Sequence, residues 1–155
     1  MLRNIFFLLL INIAFLSNTF FELKEITSDK IVLNFNLNDY EIEKKDLGDV
    51  INIPGSGSRS LIGEPLLPSL SSFVKLDKNK SYDIQYNVIS EKEINEISIM
   101  PFQTFGDKAV DYQKNELIYS NSSTFPERNL YVSERKSMRG TEFVNLELIP
   151  FIYNP

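Results

Sequence analysis

The chain has 155 residues, 24% of them charged and 43% apolar, with a formal net charge of −5 and a pI near 4.8. That length accommodates one domain and a targeting segment, the apolar share argues against wholesale disorder, and the acidic balance argues against a nucleic-acid partner, whose phosphates call for a basic face. Cysteine and histidine are both absent, which removes disulfides, thiolate nucleophiles and the imidazole base of Ser-His-Asp or Cys-His catalysis.

The N-terminus carries Arg3 ahead of an apolar run from Ile5 to Leu16 that is broken only by Asn12. As a helix this run spans about 18 Å, short of the roughly 30 Å of a bilayer core, so it reads as a signal peptide over residues 1–20. Cleavage is expected between Leu16 and Phe21. The product is then exported to the periplasm, cell surface or medium, with no stable membrane insertion.

Beyond the leader the dominant period is two. Ile31, Leu33, Phe35 and Leu37 alternate with Val32, Asn34 and Asn36, and Tyr40 and Ile42 continue the pattern after an Asn38-Asp39 turn. Val50-Ile51-Asn52-Ile53 follows, then a loop by composition from Pro54 to Ser60; it lacks the Gly-Lys-Ser/Thr ending of a phosphate-binding loop. Tyr82, Ile84, Tyr86 and Val88 alternate most strongly, which predicts a strand with these four side chains on one core face. Ile97 to Met100 reads as a strand stopped by Pro101. From Thr104 to Pro126 the pattern fails apart from Leu117-Ile118-Tyr119. A last pair of strands is predicted around Leu130 to Ser133 and Val144 to Leu148. About seven short strands at spacings near ten residues predict an all-β antiparallel sandwich over residues 25–155.

The acidic pairs Glu41/Glu43 and Glu91/Glu93 lack the loop of a calcium site and read as solvated carboxylates near Lys44, Lys45 and Lys92. No metal or other cofactor is expected. Arg135, Lys136 and Arg139 read as charges that discourage pairing at a strand edge. An arginine at the Arg139-Gly140 corner could fork onto carbonyls or a carboxylate. The aromatic residues Tyr82, Tyr86, Phe102, Phe105, Tyr112 and Tyr153 suit a pleated core better than an open stacking platform.

Three pieces, taken in order, resemble a known family. Gly63-Glu64-Pro65-Leu66-Leu67-Pro68 puts a turn and two prolines before the apolar run that starts at Phe73. Arg139-Gly140 leads into an alternating strand, and Pro150-Phe151-Ile152-Tyr153-Asn154-Pro155 closes the chain. Together they resemble the N-terminal propeptide of the gingipain-type (C25) cysteine peptidases. The resemblance implies a non-catalytic β-sandwich that assists folding of the catalytic domain, its partner, and blocks the cleft until cleaved off. The enzyme would then lie beyond Pro155. Gly63, Pro65, Pro68, Arg139, Gly140, Pro150, Tyr153 and Pro155 would be structural motif positions. For a peptidase that prefers basic residues, Lys108, Lys114 and Arg128 in the irregular region are candidates to fill the specificity pocket. The alternative is a secreted carbohydrate-binding or adhesive β-sandwich.

Overall fold

The computed structural model describes residues 20–155 except 29, 38, 79, 105–110 and 122. The leader, Phe105 and Lys108 therefore lie outside the described residues. Among the described residues all pairings between strands are antiparallel, the isolated bridge from Asp49 to Ile99 is parallel, and the helix is one four-residue turn. The chain is an all-β protein.

Two hairpins come first. β1 (Phe21–Ile26) pairs with β2 (Ile31–Phe35), bringing Phe21 opposite Phe35 and Leu23 opposite Leu33. Thr27 closes the turn, its hydroxyl accepting from the Lys30 N–H at 3.1 Å. β3 (Glu41–Lys45) pairs with β4 (Gly48–Asn52), whose Asp49, Val50 and Ile51 are buried while β3 is exposed throughout. That asymmetry follows from sequence: β3 is Glu-Ile-Glu-Lys-Lys, and β4 carries Val50 and Ile51.

The main sheet contains β5 (Gly57–Ser58), β6 (Pro68–Leu76), β7 (Leu130–Val132), β8 (Lys136–Met138) and β9 (Thr141–Leu148). β9 is its organising strand. One edge pairs with β6 from Leu70↔Leu148 to Leu76↔Glu142, and the other pairs with β7 and then with β8. Side chains alternate across a strand, so Leu70, Val74, Val144 and Leu146 share one face; Leu70 and Val144 are each only 1% exposed. The opposite face carries Phe73, packed edge-on to Phe143, and Glu147, which accepts from Arg59 at 2.9 Å. The Arg59 guanidinium also lies 4.1 Å over the Tyr131 ring.

A second nucleus forms where connecting segments converge. Ile51, Leu67, Ile99, Ile149 and Tyr153 pack as one buried cluster, flanked by Tyr40, Ile97, Tyr119, Phe125, Tyr131 and Phe151.

The strongest alternation of the sequence is not a strand. Residues 81–97 have no regular secondary structure, and among the described residues they make no backbone-to-backbone hydrogen bond. Tyr82, Tyr86 and Val88 are 41%, 54% and 62% exposed, and Ile84 is half-buried. Period two assigns side chains to faces but supplies no neighbour, and a strand exists only where a second strand bonds its N–H and C=O groups. Ile97 to Met100 does find neighbours, through backbone bonds to Asp49 on one side and to Leu66 on the other, but the pairing stops at single bridges from Ile99 to Asp49 and from Pro101 to Pro65. Leu117 to Tyr119 is helical, within α1 (Glu116–Tyr119). Its start is set by Asn115, whose side chain caps the Leu117 N–H at 3.2 Å.

Candidate functional site

Leu61 to Glu64 form a turn closed by the Glu64 N–H to the Leu61 carbonyl at 3.0 Å. Its third residue, Gly63, sits at φ +85°, a conformation that glycine adopts without steric cost. The Glu64 carboxylate reaches back to accept from the Leu61 N–H at 2.8 Å, and the Ser60 hydroxyl donates to the Pro65 carbonyl at 2.6 Å. Pro65 and Pro68 are buried, and Pro68 begins β6. These prolines forgo N–H groups that the sheet start does not use.

Gly63 then joins two distant pieces of chain. Its N–H donates to the Phe102 carbonyl and its carbonyl accepts from the Asn115 N–H, both at 2.8 Å. The Phe102 N–H donates to Glu64, and the Leu66 N–H to Met100. A Cβ on Gly63 would stand 3.1 Å from the Asn115 nitrogen, so the approach needs glycine for space as well as for φ. Next along both arms, the Gln103 carboxamide grips residue 113 twice. Nε2 donates to the Gln113 carbonyl at 2.7 Å, and Oε1 accepts from the Gln113 N–H at 3.0 Å.

Beyond this clamp, the Tyr119 hydroxyl donates to the Ile99 carbonyl at 2.9 Å, and its ring meets Tyr153 edge-on. Burial, together with the neighbouring phenols of Tyr153 and Tyr112, pushes the Tyr119 phenol well above its ordinary range. Tyr153 is itself buried and exchanges two backbone hydrogen bonds with Phe125, at 2.7 and 2.8 Å. The closing Pro150-to-Pro155 piece is thereby stitched into the second nucleus, with Phe151 packed edge-on to Tyr40. Pro150 is half-buried; Asn154 and Pro155 are exposed.

Arg139 and Gly140 form the two-residue turn between β8 and β9, at φ +50° and +77°. Two successive left-handed residues match the twist of a hairpin. Among the described residues the Arg139 guanidinium makes no hydrogen bond or ion pair; the anticipated fork belongs to Arg135. Arg135 pairs with Glu142 at 2.6 Å, donates to the carbonyls of Asp77 and Lys80, and lies 5.5 Å from the Tyr82 ring centroid. It is half-buried and structural, unlike exposed Lys136 and Arg139.

Of the basic candidates, Lys108 lies outside the described residues. The Lys114 ammonium sits 4.7 Å over the Tyr119 ring. Arg128 is exposed between buried Pro126 and half-buried Asn129. The structure brings Lys114 to the clamp at Gly63 and leaves Arg128 near the Phe125–Tyr153 bridge. The sequence pattern assigned Gln103 no role, left Tyr119 in an unassigned apolar triplet and read Arg135 as an edge charge; the polar Asn115 before Glu116 is the feature that marks the helix start. Among the aromatic residues assigned to a core, Tyr153 is buried and Phe102 half-buried, whereas Tyr82, Tyr86 and Tyr112 are exposed. Among the described residues, no three Asp or Glu side chains gather as a cation site.

The described residues define an all-β domain in which backbone hydrogen bonds from Gly63 and side-chain bonds from Gln103 hold two distant arms of the chain, at Phe102–Gln103 and Gln113–Asn115, side by side. The family model Propeptide_C25 matches residues 23–155, and the chain belongs to this family, the non-catalytic propeptide part of C25 peptidase precursors. Two solved structures share the fold. One is described as the complex of the pro- and mature domains of RgpB from Porphyromonas gingivalis; the TM-score is 0.73 at 19% identity, covering 89% of this chain and 76% of that one. The other concerns the zymogenic latency of gingipain K from the same organism; the TM-score is 0.68 at 17% identity, covering 86% of this chain and 81% of that one. No curated protein matches the chain.

Proposed function

We propose that this chain is the prosegment of an exported gingipain-like cysteine peptidase, a β-sandwich that assists folding of the catalytic domain and occupies its cleft until cleaved off. The observation that carries this reading is the propeptide family match over residues 23–155, on a fold shared with a pro-domain described in complex with its mature domain. The partner on this reading is the peptidase domain of the same precursor, and the apolar run from Ile5 to Leu16 directs export. Blocking a cleft takes a side chain that fills the specificity pocket on a backbone held against rearrangement. Lys108 suits that role best among the basic candidates: it lies between residues fixed by the clamp at Gly63 and Gln103, while the ammonium of Lys114 is engaged by Tyr119.

The test is titration of the leader-free chain against the C25 peptidase domain encoded with it. Inhibition at sub-micromolar concentration is expected, with Lys108→Ala losing most of the potency while Lys114→Ala and Arg128→Ala keep it. No inhibition at micromolar concentration would refute the proposal, and measurable polysaccharide binding would then favour a carbohydrate-binding module.

A further inference from the structure

We infer that Gln103 is a positioning residue: its side-chain amide acts as a substitute strand that fixes the spacing and register of the two arms from which segment 104–112 departs. The inference rests on the prosegment reading, in which that segment carries the cleft-filling contact.

Two rungs close the base of the segment. The inner one is the Gly63 backbone, which bonds Phe102 on one arm and Asn115 on the other. Only nine residues, 104–112, separate Gln103 from Gln113, where the second rung lies. Among the described residues no backbone hydrogen bond spans the gap here. The Gln103 carboxamide offers a donor and an acceptor side by side, as a neighbouring strand does, and satisfies both the C=O and the N–H of residue 113, at 2.7 and 3.0 Å. The same nitrogen lies 3.3 Å from the Pro101 carbonyl, which anchors the amide to its own arm.

Few side chains can do this. Asparagine is one methylene too short to reach across. Glutamate has the length, but when ionised it has no donor for the Gln113 carbonyl and turns a negative oxygen toward it. Gln113 is exposed and Gln103 half-buried, so water competes for these bonds and the rung contributes little to global stability. Its consequence is preorganisation: arms already in register leave less ordering to be done when the segment meets its partner. A defect in the rung should therefore appear in affinity and not in unfolding.

The experiment compares leader-free wild type with Gln103→Asn and Gln103→Glu, measuring dissociation constants for the encoded C25 peptidase domain and thermal unfolding midpoints. Both variants are expected to bind about tenfold or more weakly at pH 7, with midpoints unchanged. Near pH 4 the glutamate begins to protonate, since its ordinary pKa is about 4.3, and regains a donor. The ratio of the Gln103→Glu constant to that of wild type should then shrink. Unchanged affinity in both variants, beside a wild type that binds, overturns the inference and spares the prosegment reading. A wild type that does not bind removes both. Should a variant unfold early, the pH dependence of the ratio decides, because loss of fold gives no recovery on acidification.

Discussion

Gly63 and Gly140 share a left-handed backbone, at φ +85° and +77°, but not their surroundings. A Cβ at Gly140 meets nothing within 4 Å; one at Gly63 falls 3.1 Å from the Asn115 nitrogen and 3.4 Å from the Lys114 carbonyl carbon. Placing alanine in this conformation costs about 1–2 kcal/mol, offset in part by the lower entropy of the unfolded variant, so Gly140→Ala should cost about 1 kcal/mol. Gly63→Ala carries the same term plus that of crowding buried backbone, about 1–3 kcal/mol, because the arm at Asn115 cannot withdraw without losing its bond to the Gly63 carbonyl. The expected loss is about 2–4 kcal/mol, a large share of the 5–15 kcal/mol typical of a domain. Urea unfolding of the two variants beside wild type measures both. Equal losses would show that backbone conformation alone explains the motif glycine and would refute the argument from close approach.

Leu67→Ala, at a side chain 1% exposed within the second nucleus, should cost about 2–5 kcal/mol in the same assay, whereas Ile84→Ala should cost less than about 1 kcal/mol, since its segment pairs with no strand among the described residues. Tyr119→Phe removes the bond to the Ile99 carbonyl and should cost about 0.5–1.5 kcal/mol at neutral pH. The folded-state phenol of Tyr119 lies above its unfolded value of 10.0, so its stabilising contribution is complete below pH 10 and lost as pH rises beyond it. Stability profiles from pH 8 upward should fall less steeply for the variant than for wild type.

β6 and β9 were each legible as strands, because both carry apolar runs and both are announced by turn residues, Gly63 to Pro68 before one and Arg139-Gly140 before the other; that they pair with each other was not. The segment 82–88 shows what alternation cannot say: it has a period of two, but pairing is a property of two segments, and nothing in Tyr82, Ile84, Tyr86 and Val88 names a partner. Tyr153 was legible as a motif position, and its burial against Tyr119 follows from a contact no spacing rule reaches. The clamp was the least visible. Glutamine recurs at positions 103 and 113 in a stretch without periodicity, and its ability to imitate a strand depends on the two arms already standing side by side. Gly63 could be flagged as a turn glycine; that it also bridges Phe102 and Asn115 required the fold.

In the main sheet β9 pairs with β6, β7 and β8, and it is the last of the four to leave the ribosome. Leu70 must wait for Leu148, and Leu130 waits for the same residue. Until Thr141 to Leu148 has been synthesised, β6, with its apolar alternate positions, has only the two residues of β5 beside it. A sheet wired in this way cannot assemble from its beginning. Its folding rate is tied to long-range closure, and β6 is open to wrong pairing while residues 77–140 are being made.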